Sequence, residues 1–294
     1  MSVGVFGLIK EAGKEWVADK APRLSAATAY YTILSLAPLL VISVSIAGLV
    51  FGKDAAKSGI VHQFESLVGK SGADAVQQML ENSSEPSSGL VAIVIGVATL
   101  LLGASGVFGE LQDAFNTVWK APPKPDRGFL GMFKDRFLSF AMVLCVGFLL
   151  LVSLVLSTAL SGMGGYLSQS VQGLPSAMRV IELLISFGII TVLFAMMFKY
   201  LPDCEVPWID AWKGAAVTAL LFTLGKYLIG LYLGKAAVAS PFGAAGSLVA
   251  LVVWIYYSAM ILFFGAELTQ EMTRRHRPEL GKNRDDQPAP LGTY

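Results

Sequence analysis

Histidine, cysteine and charge are all scarce in this chain, and each shortage removes a class of chemistry. Only His62 and His276 occur among 294 residues, with two cysteines, Cys145 and Cys204. The apolar pattern set out below puts the two histidines on opposite sides of a membrane, so no histidine-centred metal site is expected. It also puts Cys145 inside a span and Cys204 in a loop, which excludes a disulfide between them, and neither has zinc-site spacing. Charged residues make up 15% of the chain, against about 25% in an ordinary soluble domain. A net charge of only +1 leaves no basic field for nucleic acid. Catalytic signatures are equally thin. "VGKSG" at Val68 to Gly72 resembles the end of a phosphate-binding loop, but Phe64 stands where that loop needs glycine. "GASG" at Gly103 to Gly106 lacks the intervening residue of a G-x-S-x-G elbow. The expectation is a protein that is not an enzyme and carries no metal and no cofactor.

What the chain has in abundance is apolar sequence, 54% of all residues, with a mean hydropathy of +0.63. Runs long enough to cross a hydrocarbon core of ~30 Å, about 20 residues each, recur at Leu24–Phe51, Leu90–Val118, Phe137–Leu160, Val180–Tyr200, Ala211–Leu233 and Ala244–Gln270. They are too continuous for barrel strands, and a lipid-exposed backbone must satisfy its own hydrogen bonds, so they are read as helices. The predicted fold class is all-α: a polytopic integral membrane protein with six transmembrane helices. Lys and Arg cluster at residues 10 to 23, 120 to 136, 199 to 213 and 274 to 284, all on one side of that pattern. The positive-inside rule therefore places both termini in the cytoplasm.

Three regions follow. Residues 1–23 hold Val5, Ile9, Ala12 and Trp16 at helical spacing among Lys10, Glu11, Lys14 and Glu15, which fits an amphipathic interfacial helix better than a cleavable leader. Residues 24–272 form the six-helix domain. Its external loop at 52–88 carries two apolar stripes, Ile60, Phe64, Leu67 and Val68, then Val76, Met79 and Leu80, with Gly69 and Gly72 between them. Residues 273–294 read as a disordered basic cytoplasmic tail.

Several spans carry features that a passive anchor does not need. In the second, Gly96, Gly103, Gly106, Glu110, Asp113 and Thr117 share an arc of about 100° at ~100° per residue, small at one end and acidic at the other. In the fifth, Ala215, Ala219, Thr223, Lys226, Gly230 and Gly234 do the same and end in G-x-x-x-G. Small residues allow close helix approach in lipid, so both faces are expected to look inward, and the G-x-x-x-G suits packing within a subunit as well as homo-oligomerisation. Pro38 interrupts the first span and frees the carbonyl of Leu34, with Thr32 and Ser35 near enough to re-satisfy it. Pro241, Gly243 and Gly246 loosen the start of the sixth.

Lys226 lies 14 residues beyond Trp212, ~21 Å along a helix at 1.5 Å per residue. An ammonium in mid-membrane costs roughly 2.5–3.5 kcal/mol on insertion scales. It is expected to meet a structural carboxylate or carbonyl, or a polar cavity that receives an anionic ligand. Snorkelling outward works against the lean of helical side chains. Glu110 and Asp113 are three apart and fit a proton or cation site, or a headgroup anchor paired with Lys120. Glu267 is read similarly, with Arg274 and Arg275 as structural partners. Tyr30, Tyr31, Trp254, Tyr256 and Tyr257 serve as belt, packing or ligand-contact residues.

"AATAYYTILSLAPLL" (Ala26–Leu40), "FNTVW" (Phe115–Trp119), "KYLPD" (Lys199–Asp203), "WKGAAVTALLFTLGKYLIGLY" (Trp212–Tyr232) and "GAAGSLVALVVWIYYSAMILFFGAEL" (Gly243–Leu268) together resemble the BrkB/YihY family of bacterial inner-membrane proteins. The resemblance runs from Leu24 to Glu271. It implies a six-helix bundle in the inner membrane with cytoplasmic termini. Members have been labelled virulence factors, and the family once carried the name ribonuclease BN. The nuclease label finds no metal cluster or nucleophile in this sequence. A suspected role in handling envelope lipids would fall on Tyr30, Tyr31, Asn116, Lys226 and Glu267. The resulting expectation is a transporter or flippase-like protein without its own ATPase, moving a lipid or another anionic amphiphile. Its alternatives are a structural or partner-binding envelope protein and, third, a membrane-embedded hydrolase.

Overall fold

The computed structural model describes residues 5–82, 106–121, 174–235 and 245–276. The third apolar run, the connector after Ala121 and the tail beyond His276 lie outside the described residues. Among the described residues all regular structure is helical. The helices are α1 (Val5–Ala18), α2 (Ala21–Phe51), α3 (Lys53–Val68), α4 (Lys70–Asn82), α5 (106–118), α6 (Leu174–Tyr200), α7 (Trp208–Lys235) and α8 (Gly246–His276). Within α2, α6 and α8, the segments Ala21–Ser45, Leu183–Tyr200 and Gly246–His276 are long and apolar enough to cross a membrane.

Helix boundaries follow local chemistry. Lys20 takes a left-handed conformation (φ 54°) between α1 and α2, and Pro22 occupies the first turn of α2, where its missing N–H costs nothing. Gly52 (φ 83°) and Gly69 (φ 78°) separate α2, α3 and α4, conformations that a residue with a Cβ adopts only with strain. Helix α2 runs through Pro38. The hydroxyls of Thr32 and Ser35 donate to the carbonyls of Thr28 and Thr32, at 2.7 and 3.1 Å. They turn back along the helix, so neither is given to the carbonyl of Leu34 that the proline frees.

The closest packing is between α7 and α8. Gly214 faces Thr269, and Gly265 faces Thr218, so a Cβ on either glycine would overlap the opposing threonine. Each threonine returns its hydroxyl to its own helix, Thr218 to Gly214 at 2.7 Å and Thr269 to Gly265 at 2.6 Å. Two G-x-x-x-T segments thus interlock head to tail, small against branched, which is how helices come close in lipid. One level further along, Gly225 is covered by Ile261 and Tyr257.

Two apolar clusters flank this seam. One joins Phe115 and Trp119 of the α5 end to Phe198, Ala211, Ala215 and Phe263, with Phe115 set against Phe198 and Phe263 at ring distances of 5.9 Å. The other seats α3 and α4, through Ala56, Val68, Val76 and Leu80, on Leu40, Val44, Leu251 and Ile255.

The buried face of α5 differs from the one its small-residue arc predicts, whereas that of α7 includes Ala215 and Ala219 of its arc but not Lys226. In α5 the packed side is Leu111, Ala114, Phe115 and Val118, while Glu110 is half-buried and Asp113 and Thr117 are exposed. In α7 the packed side is Ala211, Gly214, Ala215, Thr218, Ala219, Gly225 and Ile229, and Leu220, Leu224, Tyr227 and Leu228 are exposed. Lys226 lies on the flank between those sides, half-buried. The large apolar side chains of α5 outweigh the glycine and carboxylate pattern, because burying aromatic and leucine surface gains more than bringing a glycine face close.

The loop between α6 and α7 is tied to α5 by Asp203. Its carboxylate accepts from Gln112 Nε2 (3.1 Å) and Asn116 Nδ2 (3.0 Å), and its backbone N–H donates to Asn116 Oδ1 (2.8 Å). Lys199 Nζ donates to the Val206 carbonyl at 2.6 Å and stands 5.7 Å from the Trp208 ring centre.

Gly265→Ala is expected to destabilise the folded protein by about 1–3 kcal/mol through overpacking. Thr218→Ala in the same chain should return part of that loss, and paired thermal melts in detergent measure the coupling. Asn116→Ala removes two bonds to Asp203, one of them to its carboxylate. It should cost roughly 1.5–3 kcal/mol, read by the same melts.

Candidate functional site

The residues singled out by sequence do not meet in one place. Lys226 extends from the flank of α7 with its Nζ 5.4 Å from the ring centre of Tyr227, which is exposed. Among the described residues no carboxylate reaches it within ion-pair distance. A ring face attracts a cation by about 0.5–2 kcal/mol but leaves its charge without a counter-ion. Gly230 and Gly234 follow in α7, and their surroundings lie outside the described residues.

Tyr30 and Tyr31 form an edge-on pair with ring centres 5.6 Å apart. Tyr31 lies against Gly106, its ring 3.1 Å from where a Cβ would stand, so this glycine admits the tyrosine. Tyr30 is exposed. Gly103, Pro241 and Gly243 lie outside the described residues, and Gly246 is the buried first residue of α8. Asn116 has both ends of its amide engaged by Asp203. That exchange ties α5 to the α6–α7 loop, joining the blocks "FNTVW" and "KYLPD" that lie far apart in sequence.

A second polar grouping forms where α1 meets the bundle. Ala12 is fully buried, and the Trp16 indole N–H donates to the Met260 carbonyl at 3.4 Å. Glu15 pairs with Lys120, just past α5, so Lys120 turns to α1 and not to Glu110 or Asp113. Asp19 follows one turn after Glu15 and lies near the carboxyl of Glu267 from α8; Asp19 Oδ2 and both Glu267 carboxyl oxygens are buried without a hydrogen-bond partner among the described residues. Glu267 is 1% exposed. Arg274 and Arg275 do not serve it: both pair with Glu271, at 3.3 and 2.8 Å. Spacing explains this, since 271 lies three and four residues from the arginines, whereas 267 is two turns away.

Charge at this junction is unevenly balanced. Burial lifts the Asp19 carboxyl above its ordinary range, Lys120 opposes the shift, and Glu15 adds to it. Burial works against the charged form of Lys120, but the Glu15 hydrogen bond and the nearby Asp19 and Glu267 carboxyls outweigh it and raise its pKa. One ammonium therefore serves three acids. Asp19 and Glu15 carried no distinguishing pattern in sequence, since they sit among other charges on a short amphipathic helix. Among the described residues no grouping of His, Cys, Asp and Glu has the geometry of a metal site.

Comparison with known proteins supplies the family. The family described as "Virulence factor BrkB" matches residues 12–290. A UPF0761 membrane protein of Pseudomonas aeruginosa is 27% identical over 278 residues, covering 90% of this chain and 64% of the relative. Others from Verminephrobacter eiseniae and Alkalilimnicola ehrlichii are 29% and 30% identical, covering 86% and 91% of this chain and 58% and 59% of theirs. The chain thus spans less than two thirds of the length of these relatives. No solved structure matches. With apolar helices of spanning length and relatives that are membrane proteins, and with a family match over nearly its whole length, this chain is a membrane protein that belongs to the family described as virulence factor BrkB.

Proposed function

We propose that the protein is a six-span component of the bacterial inner membrane, with both termini in the cytoplasm, that moves a lipid or another anionic amphiphile without an ATPase of its own. The observation that carries this reading is Lys226: a half-buried ammonium on an apolar helix, covered by one tyrosine ring and, among the described residues, by no carboxylate. Desolvation makes an uncompensated cation costly, and an anionic headgroup relieves that cost. Because Lys226 stands on the flank of α7 beside exposed Leu224, Tyr227 and Leu228, the headgroup would arrive sideways from the bilayer. This differs from a central hollow lined by Glu110 and Asp113. The acyl chains would stay against the apolar side of α7 while the headgroup bonds Lys226, which lowers the cost of a polar group at that depth. No bond is made or broken, and the reading assigns no hydrolytic role.

The test uses protein reconstituted in vesicles containing a fluorescent anionic phospholipid, followed by access of an impermeant quencher. Transfer should exceed that of empty vesicles, and Lys226→Ala should slow it at least about tenfold, the equivalent of 1.4 kcal/mol of lost headgroup binding, with an unchanged melting temperature. Transfer no faster than in empty vesicles overturns the reading. A variant that loses only stability points instead to a structural or partner-binding protein.

A further inference from the structure

Helix α1 has two apolar sides, and only one of them is occupied by the protein. Along the stripe that helical spacing singles out, Ala12 is fully buried and the Trp16 indole N–H donates to the Met260 carbonyl of α8 at 3.4 Å. A second strip faces away from the bundle. Phe6 is 82% exposed, Val17 65% and Ile9 46%. Gly13 lies between them, with nothing within 4 Å of where a Cβ would stand. At ~100° per residue these four positions fall within about 80° of one another. They form one continuous strip on the side of α1 away from Ala12.

Charge is sorted by sign around the same helix. Lys10 and Lys14 are exposed and border the free strip. The acids lie nearer the packed side: Glu15 is taken by Lys120, and Glu11 pairs with Lys14 at 2.7 Å. Position adds to this. Only Asp19 and Lys20 separate α1 from Ala21–Ser45, a segment of spanning length, and Met260, which Trp16 meets, lies inside another, Gly246–His276. The free strip is therefore held at the edge of the bilayer. A second copy of the chain fits it poorly, because a stable protein interface needs about 800 Å² and roughly 20–30 residues a side. What α1 offers is one strip of a 14-residue helix.

We propose that the free side of α1 is a docking surface for anionic phospholipid in the leaflet beside it: Phe6, Ile9 and Val17 enter between acyl chains, and Lys10 and Lys14 bind headgroup phosphates. An apolar helical face sinks to the boundary between headgroups and acyl chains, and flanking lysines add attraction only where the leaflet is negative. One side of α1 thus holds the bundle and the other holds the bilayer. Docking is tighter on anionic than on zwitterionic lipid, and salt weakens it. The surface uses none of the residues assigned to the headgroup path at Lys226, and it stands whether or not the protein transports anything, so its test separates from the vesicle assay above.

Two measurements on the full chain in lipid nanodiscs decide it. For the first, Cys145 and Cys204 are changed to serine and a spin label is attached at Phe6→Cys or Val17→Cys, exposed positions that leave the packed side of α1 intact. Both labels should be relaxed more by dissolved oxygen, which concentrates among acyl chains, than by a water-soluble nickel chelate. Labels that favour nickel overturn the proposal. Spin–spin broadening that vanishes on dilution with unlabelled protein also overturns it, since a second copy would then cover the strip. The second is hydrogen exchange of the α1 amides, corrected for intrinsic rates. Lys10→Gln should speed it about fivefold in phosphatidylglycerol discs, the worth of one lysine at an anionic surface, and leave it unchanged in phosphatidylcholine discs. An equal effect in both discs, or none in either, overturns the assignment to anionic lipid.

Discussion

The close crossing of α7 and α8 is the contact from which the rest of the arrangement follows. Hydrocarbon gives little hydrophobic drive for one apolar helix to leave lipid for another, so proximity has to come from shape. Here two glycines accept two threonines from the opposite helix. The threonine hydroxyls are satisfied within their own helices, so the crossing leaves no polar debt. With α7 and α8 held together, Phe222 of α7 meets Trp254 of α8 edge-on at 6.1 Å, and α6 packs along α7 through Phe194 against Phe222. The α5 end inserts Phe115 between Phe198 and Phe263. The polar residues then sit where that packing leaves them.

Two kinds of polarity result. Asn116 and Asp203 exchange hydrogen bonds in both directions, so they fix the loop between α6 and α7 against α5. Where α1 docks, the acids Glu15, Asp19 and Glu267 outnumber the one base that faces them, Lys120. Removing an ion from water costs several kcal/mol even after relaxation, so burial there works against the charged form of Asp19. That contrast gives α1 the character of a docked element and α5 to α8 the character of a frame.

Lys226 belongs to neither group. Seated between the packed and exposed sides of α7, it has a ring to lie over. A position on the packed face would have demanded a permanent carboxylate partner. A position on the exposed face would have let the ammonium reach the headgroups and satisfy itself there. The flank does neither, and this is the ground for proposing an anion from the bilayer as its complement.

The sequence by itself determined that the chain is apolar and helical, where the helices break, and which family it joins. Those properties reside in local composition, in glycines with positive φ at 52 and 69, and in ordered blocks such as "WKGAAVTALLFTLGKYLIGLY". Its small-residue arcs pointed to the inward side only in part, rightly at Ala215 and Ala219 of α7 and wrongly at Asp113 and Thr117 of α5. Small residues mark two adjacent sides of α7, 214/218/225 and 215/219/223/226, and residues of both are buried, Gly214, Ala215, Thr218 and Ala219 among them. The closest contact with α8 falls on the first set, which Gly265 and Thr269 complement. Partners were decided the same way: Lys120 met Glu15, and Glu267 met Asp19 across nearly the whole chain. A side chain acquires a partner only once another helix is brought beside it, and no spacing along one helix encodes that neighbour.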